Sequence, residues 1–155
     1  MARLPDRFDL WVRRARASQD TARQADYILG ALAGLKEWYF VAVGKEDIPV
    51  PGEIEGAHYV MVFSDHGRIE EIPLAPGSYP FRVISTPTAA AMAWCVERRT
   101  GLMLNPAAQG TVLIPFDQLE TFHAEWSQRG GRQAAGFWIP NMTTEEEDFW
   151  QEHGY

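Results

Sequence analysis

The sequence predicts an α+β fold, a single domain in which a mixed β-sheet is flanked by helices. Three observations predict it: apolar residues recur at helical spacing in several segments, other short segments are rich in aromatic and β-branched residues, and Gly and Pro separate the two kinds. A chain of 155 residues, 46% hydrophobic and 23% charged, fits one globular domain with its own core. We therefore expect residues 1–155 to form one domain.

Apolar residues at helical spacing predict two helices at the start of the chain. Pro5 suits the first turn of a helix over 5–17. A second, clearer amphipathic helix begins at about Thr21 and ends near Gly34. The apolar sides expected to face the core are Phe8, Trp11, Val12 and Ala15 in the first helix, and Ala25, Ile28, Leu29, Leu32 and Leu35 in the second.

Two strands are expected next, with a loop between them. Residues 38–43 and 58–63 are rich in aromatic and β-branched side chains. The second segment is apolar at almost every position, which predicts a central strand covered on both faces. Between them, 48–56 contains two prolines and two glycines among acidic neighbours, which predicts an exposed loop.

The middle of the chain predicts a loop, a short strand and a helix. Proline and glycine break up 74–80, and 81–84 should form the strand. An alanine-rich helix over 88–99 follows, with hydroxyl residues to cap it and Pro87 just inside its start. Gly101 is expected to end this helix.

A strand pair and a further helix are predicted after Gly101. Residues 102–104 and 111–114 form the strands, and Asn105 and Pro106 make the turn that follows the first of them. Pro115 then opens a helix whose apolar side carries Phe116, Leu119, Phe122 and Trp126.

The end of the chain is rich in large aromatic residues. Trp138 precedes Pro140, and Thr143 or Thr144 should cap a short acidic helix. Such side chains pack either on the core of their own chain or into a partner, where aromatic residues often dominate the binding energy. Both alternatives are open, and the candidate binding residues of this tail are Trp138, Phe149 and Trp150.

The charge of the chain argues against a nucleic acid partner. The formal net charge is −7, whereas phosphate binding usually shows as a basic surplus or stripe. The basic residues Arg3, Arg7, Arg13, Arg14 and Arg16 form a head, and Glu145, Glu146, Glu147, Asp148 and Glu152 form an acidic tail. These charges either cover solvated helix faces or attract each other. Arginine outnumbers lysine twelve to two, which indicates codon usage in a GC-rich, bacterial genome.

Cysteine content and hydropathy predict a soluble, cytoplasmic protein. Cys95 is the one cysteine, so no internal disulfide can form. The first residues lack the apolar core of a signal peptide. No run of about 18 apolar residues exists, so we expect no membrane span.

No motif in the sequence predicts a catalytic, metal or cofactor site. His58, His66, His123 and His153 lack the spacing of paired metal ligands, and the glycines form neither a phosphate loop nor a dinucleotide fingerprint. Cys95 lies within an apolar helix and is expected to be a buried, inert thiol. One enzymatic alternative stays open, a site assembled around Asp65 and His66 with a carboxylate or Cys95.

Three short motifs resemble the N-terminal domain of the SseB family. With the helix before them, the likeness covers roughly 21–126, and the helix over 5–17 and the tail over 130–155 are additions to it. The motifs are Val62-Phe63-Ser64-Asp65, then Gly101-Leu102-Met103-Leu104-Asn105-Pro106 leading to Gly110, and Ile114-Pro115-Phe116-Asp117-Gln118-Leu119.

The resemblance implies a small accessory domain without an established reaction, and it transfers no catalytic residue. The sequence favours a non-enzymatic binding or adaptor module, with a protein partner or self-association. Asn105 and Pro106 are its other candidate binding residues, although an asparagine beside a proline is first of all typical of a structural turn.

Overall fold

The structure is a computed structural model that describes residues 7–43, 45, 48–49, 51–65, 81–105, 112–128 and 138–153. The α+β fold class is confirmed. The helices are α1 (Arg7–Ala17), α2 (Thr21–Ala33), α3 (Thr88–Glu97), α4 (Phe116–Gln128) and α5 (Thr144–His153). The strands are β1 (Glu37–Val43), β2 (Pro51–Ile54), β3 (Ala57–Val62), β4 (Phe81–Pro87), β5 (Gly101–Leu104) and β6 (Val112–Ile114).

The chain divides into two compact units. The first unit combines Met1–Lys36 with Glu120–Tyr155, and the second is Glu37–Leu119. The first therefore holds helices from both ends of the chain, and the second holds all six strands and α3. That residues 1–155 act as one domain stays a prediction.

The first unit is built on the amphipathic helices that the sequence predicts. α1 packs against α2, and most side chains expected to face the core are buried, for example Trp11 and Leu29. Val12 is only partly buried, and so is Leu35, which lies beyond the end of α2. On the part of α4 that belongs to this unit, Phe122 and Trp126 are buried too. Burial of these large side chains is the main source of stability for this unit.

The second unit contains a mixed β-sheet, as predicted. Its four strands follow the order β2-β3-β5-β6, with β3 and β5 parallel and the other two pairs antiparallel. β1 and β4 form a separate antiparallel pair. Among the described residues, one antiparallel bridge joins β1 to Phe63, the residue after β3. In it, Tyr39 and Phe63 each donate a backbone N–H to the other's carbonyl, at 3.1 and 2.8 Å.

The prediction of a loop over 48–56 is wrong in part, because β2 lies within this segment. Pro51 is tolerated as the first residue of an edge strand, where its missing N–H costs no ladder bond. Glu55 and Gly56 have φ of 51° and 81° and form a two-residue turn of the primed kind, which matches the twist of a hairpin. Gly56 is therefore part of the turn that closes the hairpin between β2 and β3.

The central strand β3 is not covered on both faces. Its burial alternates, with Val60 and Val62 buried and Tyr59 and Met61 only partly buried. Apolar composition along the strand predicts two covered faces, but composition does not distinguish a buried Met or Tyr from a partly exposed one. One face of the sheet is therefore open along this strand.

The boundaries of β4 and α3 also differ from prediction. β4 continues to Pro87 because it pairs with the whole of β1. α3 begins at Thr88, and the preceding Pro87 provides no side-chain cap. The helix ends in a left-handed residue at Arg99, with φ of 55°, where Gly101 had been expected to end it.

None of the helices in the described part of the chain is long and apolar enough to cross a membrane.

Candidate functional site

The parallel strands β3 and β5 bring two sequence-predicted regions together. Since parallel strands end at the same edge of a sheet, the segment at Ser64 and Asp65 meets Asn105. In open α/β sheets, this edge is where ligands usually bind. His66 and Pro106, the residues that follow on each side, lie outside the described residues.

The side chain of Asn105 is engaged in holding this edge together. Its Oδ1 accepts from the backbone N–H of Ser64 at 3.0 Å, and its Nδ2 donates to Ser64 Oγ at 3.2 Å. Its own N–H donates to the carbonyl of Val62 at 2.9 Å. Asn105 is buried with φ of 45°, a conformation that asparagine adopts more readily than other residues except glycine. A structural role for Asn105 as a turn residue accounts for every one of these contacts. Its role in binding stays a prediction.

Tyr39 and two carboxylates lie near the same edge. The Tyr39 hydroxyl donates to Glu37 Oε1 at 2.8 Å. This hydrogen bond, partial burial and the negative charges of Glu37 and Asp65 raise the pKa of Tyr39. The phenol therefore stays protonated at neutral pH and cannot serve there as a base.

Cys95 is fully buried in α3, as the sequence predicts. Burial raises the pKa of its thiol to about 12. A thiol must be deprotonated to act as a nucleophile, so Cys95 is unreactive at neutral pH. Cys95 therefore cannot act as a nucleophile in the enzymatic alternative.

Metal and small-molecule sites have little support in the described residues. No group of three His, Cys, Asp or Glu side chains there is placed to hold a metal ion. A cavity of about 190 Å³ in the first unit is lined by Arg14, Ala17, Ser18 and Tyr27. Ligand pockets usually measure about 300–1,000 Å³, so this cavity is small for an organic substrate.

The tail supplies core to the first unit. The Trp138 side chain is 7% exposed, and its ring packs on Phe122 with the centroids 5.7 Å apart. Ile139 beside it is fully buried. Of the two alternatives for this tryptophan, packing on its own chain is the one the structure contains. Phe149 and Trp150 lie on α5, and their side chains lie outside the described residues.

A buried ionic cluster, absent from the sequence prediction, holds α5 to α2. The Glu146 carboxylate accepts from the guanidinium of Arg23, with Nε at 3.1 Å, and from the hydroxyl of Tyr27. Arg23 also donates to the carbonyl oxygens of Pro140 and Asn141. Two arginine-bound carbonyls and a shared carboxylate thus fix the start of the tail helix.

Glu146 also completes the cap of α5. The N–H of Glu146 donates to Thr143 Oγ1 at 3.2 Å, and the N–H of Thr143 donates to Glu146 Oε1 at 2.9 Å, which is a capping box. Burial raises the pKa of Glu146, but its hydrogen bonds with Arg23, Tyr27 and Thr143 outweigh that effect and lower the pKa to about 2. Of the two caps that the sequence leaves open, Thr143 and Thr144, the structure contains Thr143.

Attraction between the basic head and the acidic tail occurs at one described pair. Arg14 Nη2 lies 3.6 Å from Glu145 Oε1. The Glu145 side chain is 86% exposed, and such pairs contribute roughly 0–1 kcal/mol. The buried carboxylate of Glu146 is therefore the important acidic group of the tail.

The second unit has a partly exposed apolar surface, here called the open face and made of Tyr59, Met61, Met103 and Leu113. The strand register places Met61 beside Met103 and Met103 beside Leu113, so their side chains share one face. The first three are partly buried, and Leu113 is 41% exposed. The open face thus forms an apolar row across β3, β5 and β6.

The inner end of the open face is anchored in packed core. Met61 packs against a small cluster of Val41 and Phe63. Gly101 lies under Tyr59, and a Cβ at Gly101 would come within 2.9 Å of the Tyr59 ring, so the absence of a side chain lets this ring lie across β5. The side chains of the open face are therefore held in fixed positions by the residues they pack on.

The opposite face of the same strands is mostly buried. Five side chains on it are buried, namely Val60, Val62, Leu102, Leu104 and Ile114, whereas Val112 is partly buried and His58 at the start of β3 is exposed. The contrast between the two faces is the strongest asymmetry in this unit. Sequence reasoning missed it because Met and Tyr count as apolar wherever they stand, and only the register shows that they line up.

Comparison with family models, with curated proteins and with solved structures finds no match to this chain.

Proposed function

We propose that the chain is a non-enzymatic protein-binding module that binds its partner through the open face. The observation that carries the proposal is the partly exposed row of Tyr59, Met61, Met103 and Leu113 opposite a mostly buried face. Exposed apolar patches with fixed positions are typical of interaction sites in soluble proteins.

The composition of the open face suits a protein partner. Methionine side chains are flexible and polarisable, so they adapt to the shape of another surface. Tyrosine and methionine are enriched at protein interfaces, whereas charged residues are depleted at their centres. None of the four side chains is charged. The net charge of −7 makes a nucleic acid an unsuitable partner, because phosphate contacts require a local excess of Lys and Arg.

The competing function is a small enzyme centred on Asp65 and His66. It is weakened by Cys95, whose thiol is buried and protonated at neutral pH. Cys95→Ser and His66→Ala separate the two functions, because a binding module should keep its partner with either substitution. Loss of function with the fold intact would favour the enzyme.

Two further expectations belong to this proposal. The motifs that resemble the SseB family fall at the end of β3, along β5 and at the start of α4. We therefore also propose that the chain belongs to this family of accessory domains. We also place the protein in the bacterial cytoplasm, because its one cysteine is a buried free thiol.

Site-specific photocrosslinking tests the proposal directly. A photoreactive benzoylphenylalanine replaces Leu113 in one variant and Ile48 in another, and both are expressed in the source cells. Ile48 is the matched control, because it is 43% exposed and apolar but lies outside the open face. We expect a defined protein adduct from position 113 and none from position 48.

Capture alone is insufficient, so the captured protein is purified and titrated against the unmodified chain. A saturable 1:1 interaction would support the proposal. Equal capture from both positions, or an adduct whose protein does not bind the chain in solution, would contradict it.

A further inference from the structure

Two methionines lie side by side in the middle of the open face. Met61 on β3 and Met103 on β5 are register partners, and both side chains are partly exposed. On the four described strands β2, β3, β5 and β6, the side chains that share this face carry no charge, from Ile54 and Ala57 on the hairpin to Leu113 on β6. A polar group added at either sulfur would therefore stand within an apolar surface.

The other described residues that contain sulfur differ from this pair in burial or in position. Cys95 is fully buried, and burial raises the pKa of its thiol to about 12, so it does not react with a peroxide as a thiolate. Met92 is fully buried on the same helix. Met142 is partly exposed but belongs to the first unit. In the second unit, Met61 and Met103 are thus the described sulfur-containing side chains that solvent reaches.

We propose that Met61 and Met103 form a reversible oxidation site, at which peroxide converts the open face from an apolar to a polar surface and releases its partner. In the reaction, the lone pair of the thioether sulfur attacks one oxygen of hydrogen peroxide. An S–O bond forms, the O–O bond breaks, and the second oxygen leaves as water. The sulfur loses two electrons, the peroxide gains them, and the product is methionine sulfoxide.

The product changes the surface in a way that opposes binding. A sulfoxide is polar and chiral, and its oxygen needs a hydrogen-bond donor when it is buried. The apolar surface of a partner offers no such donor, so each oxidised methionine weakens the contact. Methionine sulfoxide reductases reverse the change, with a dithiol that is oxidised to a disulfide as the oxygen leaves as water. The loss of the partner rests on the proposed function of the open face, whereas the oxidation site itself does not.

Peptide mass spectrometry of the isolated chain tests the oxidation site without a partner. The folded chain is exposed briefly to hydrogen peroxide and then digested. We expect the sulfoxide fraction at Met61 and at Met103 to be at least about tenfold the fraction at Met92, because oxidation follows exposure to solvent. Met142 supplies a partly exposed comparison in the other unit.

Hydrophobic-interaction chromatography of the same samples measures the change in the apolar surface. Peroxide should shorten the retention of the unmodified chain, because the oxidised open face is more polar. The double variant Met61→Leu with Met103→Leu keeps an apolar row without sulfur, so its retention should stay constant. Met142→Leu is the matched control and should respond to peroxide like the unmodified chain. Circular dichroism establishes that each sample is folded.

Titration of the captured partner measures the consequence for binding. Peroxide should weaken binding by the unmodified chain at least about tenfold, because a polar sulfoxide is buried in the contact. Treatment of the oxidised chain with methionine sulfoxide reductases for both sulfoxide epimers should restore the affinity. The double variant Met61→Leu with Met103→Leu should bind equally before and after peroxide, whereas Met142→Leu should lose affinity like the unmodified chain.

The outcomes separate this inference from the proposed function. Resistance of Met61 and Met103 to peroxide equal to that of Met92 would overturn the inference and leave the proposed function untouched. A double leucine variant that still responds to peroxide would also overturn it, by placing the sensitive group elsewhere. If Leu113→Glu weakens binding but the oxidised chain binds normally, the inference fails alone. If Leu113→Glu binds normally, the proposed function fails, and the mass spectra and column retention still decide whether the two methionines are the oxidation site.

Discussion

Single residues at the carboxyl edge of the sheet show how a site predicted from sequence can have a structural role. The sequence singles out Asn105 as a turn residue and as a candidate contact, and the structure places its amide against Ser64 on the neighbouring strand. The partner lies 41 positions away in the sequence. No local pattern predicts that distance, because it depends on the parallel pairing of β3 and β5.

Substitution of Asn105 tests this role. Asn105→Gly should destabilise the chain by about 2 kcal/mol, because the buried N–H of Ser64 loses its acceptor. Asn105→Ala should cost about 1 kcal/mol more, since a Cβ is strained at a φ of 45°. Urea unfolding measures both. Equal stability of the two variants would contradict the backbone argument, and unchanged stability would contradict the hydrogen-bonding argument.

At the scale of elements, the sequence predicts helices better than strands. Helical periodicity needs only local information, and the buried sides of α1 and α2 are confirmed at residues such as Trp11 and Leu32. The strand β2 was missed because proline and glycine normally mark loops, yet both fit an edge strand that ends in a tight turn. The half-exposure of β3 could not be predicted either, because it depends on what covers each face.

The hairpin turn between β2 and β3 gives a prediction at this scale. Glu55 has a φ of 51°, and Gly56 has a φ of 81° with open space where a Cβ would stand. Glu55→Asn should stabilise the chain by about 0.5–1 kcal/mol, because asparagine is favoured at the first position of this turn. Thermal unfolding measures the gain. Glu53→Asn, on the strand itself, is the control and should give no gain.

The tail helix α5 depends on Glu146 and therefore on pH. The pKa of Glu146 is about 2 in the folded chain against an ordinary value of 4.5. Since the folded pKa is the lower one, this contribution is fully present above about pH 4.5 and is lost as the pH falls toward 2. The difference corresponds to about 3 kcal/mol.

Glu146→Gln should therefore lower the stability at pH 7 by about 3 kcal/mol and flatten the loss of stability between pH 4.5 and 2. Glu147→Gln is the matched control, because Glu147 is an exposed neighbour on the same helix. Urea unfolding at a series of pH values measures both variants. The same acid sensitivity in the two variants would show that Glu146 does not secure the tail.

In the whole molecule, the two compact units differ in what their surfaces and cores contain. The first unit uses the aromatic residue Trp138 and the Glu146 cluster to secure its own chain, so these groups contribute stability. The second unit carries the open face, which we propose as its binding surface. Sequence alone placed the candidate binding residues mostly in the tail, because aromatic residues near a chain end look available until burial is known.

A calorimetric titration of the captured partner into three purified chains tests whether the open face is the binding surface. These are the unmodified chain, Leu113→Glu and the control Ile48→Glu, whose apolar side chain is equally exposed. We expect Leu113→Glu to weaken binding at least tenfold, which is about 1.4 kcal/mol, because a charge is buried in the apolar contact. Ile48→Glu should bind like the unmodified chain. Equal binding by all three chains would contradict the assignment of the open face as the binding surface.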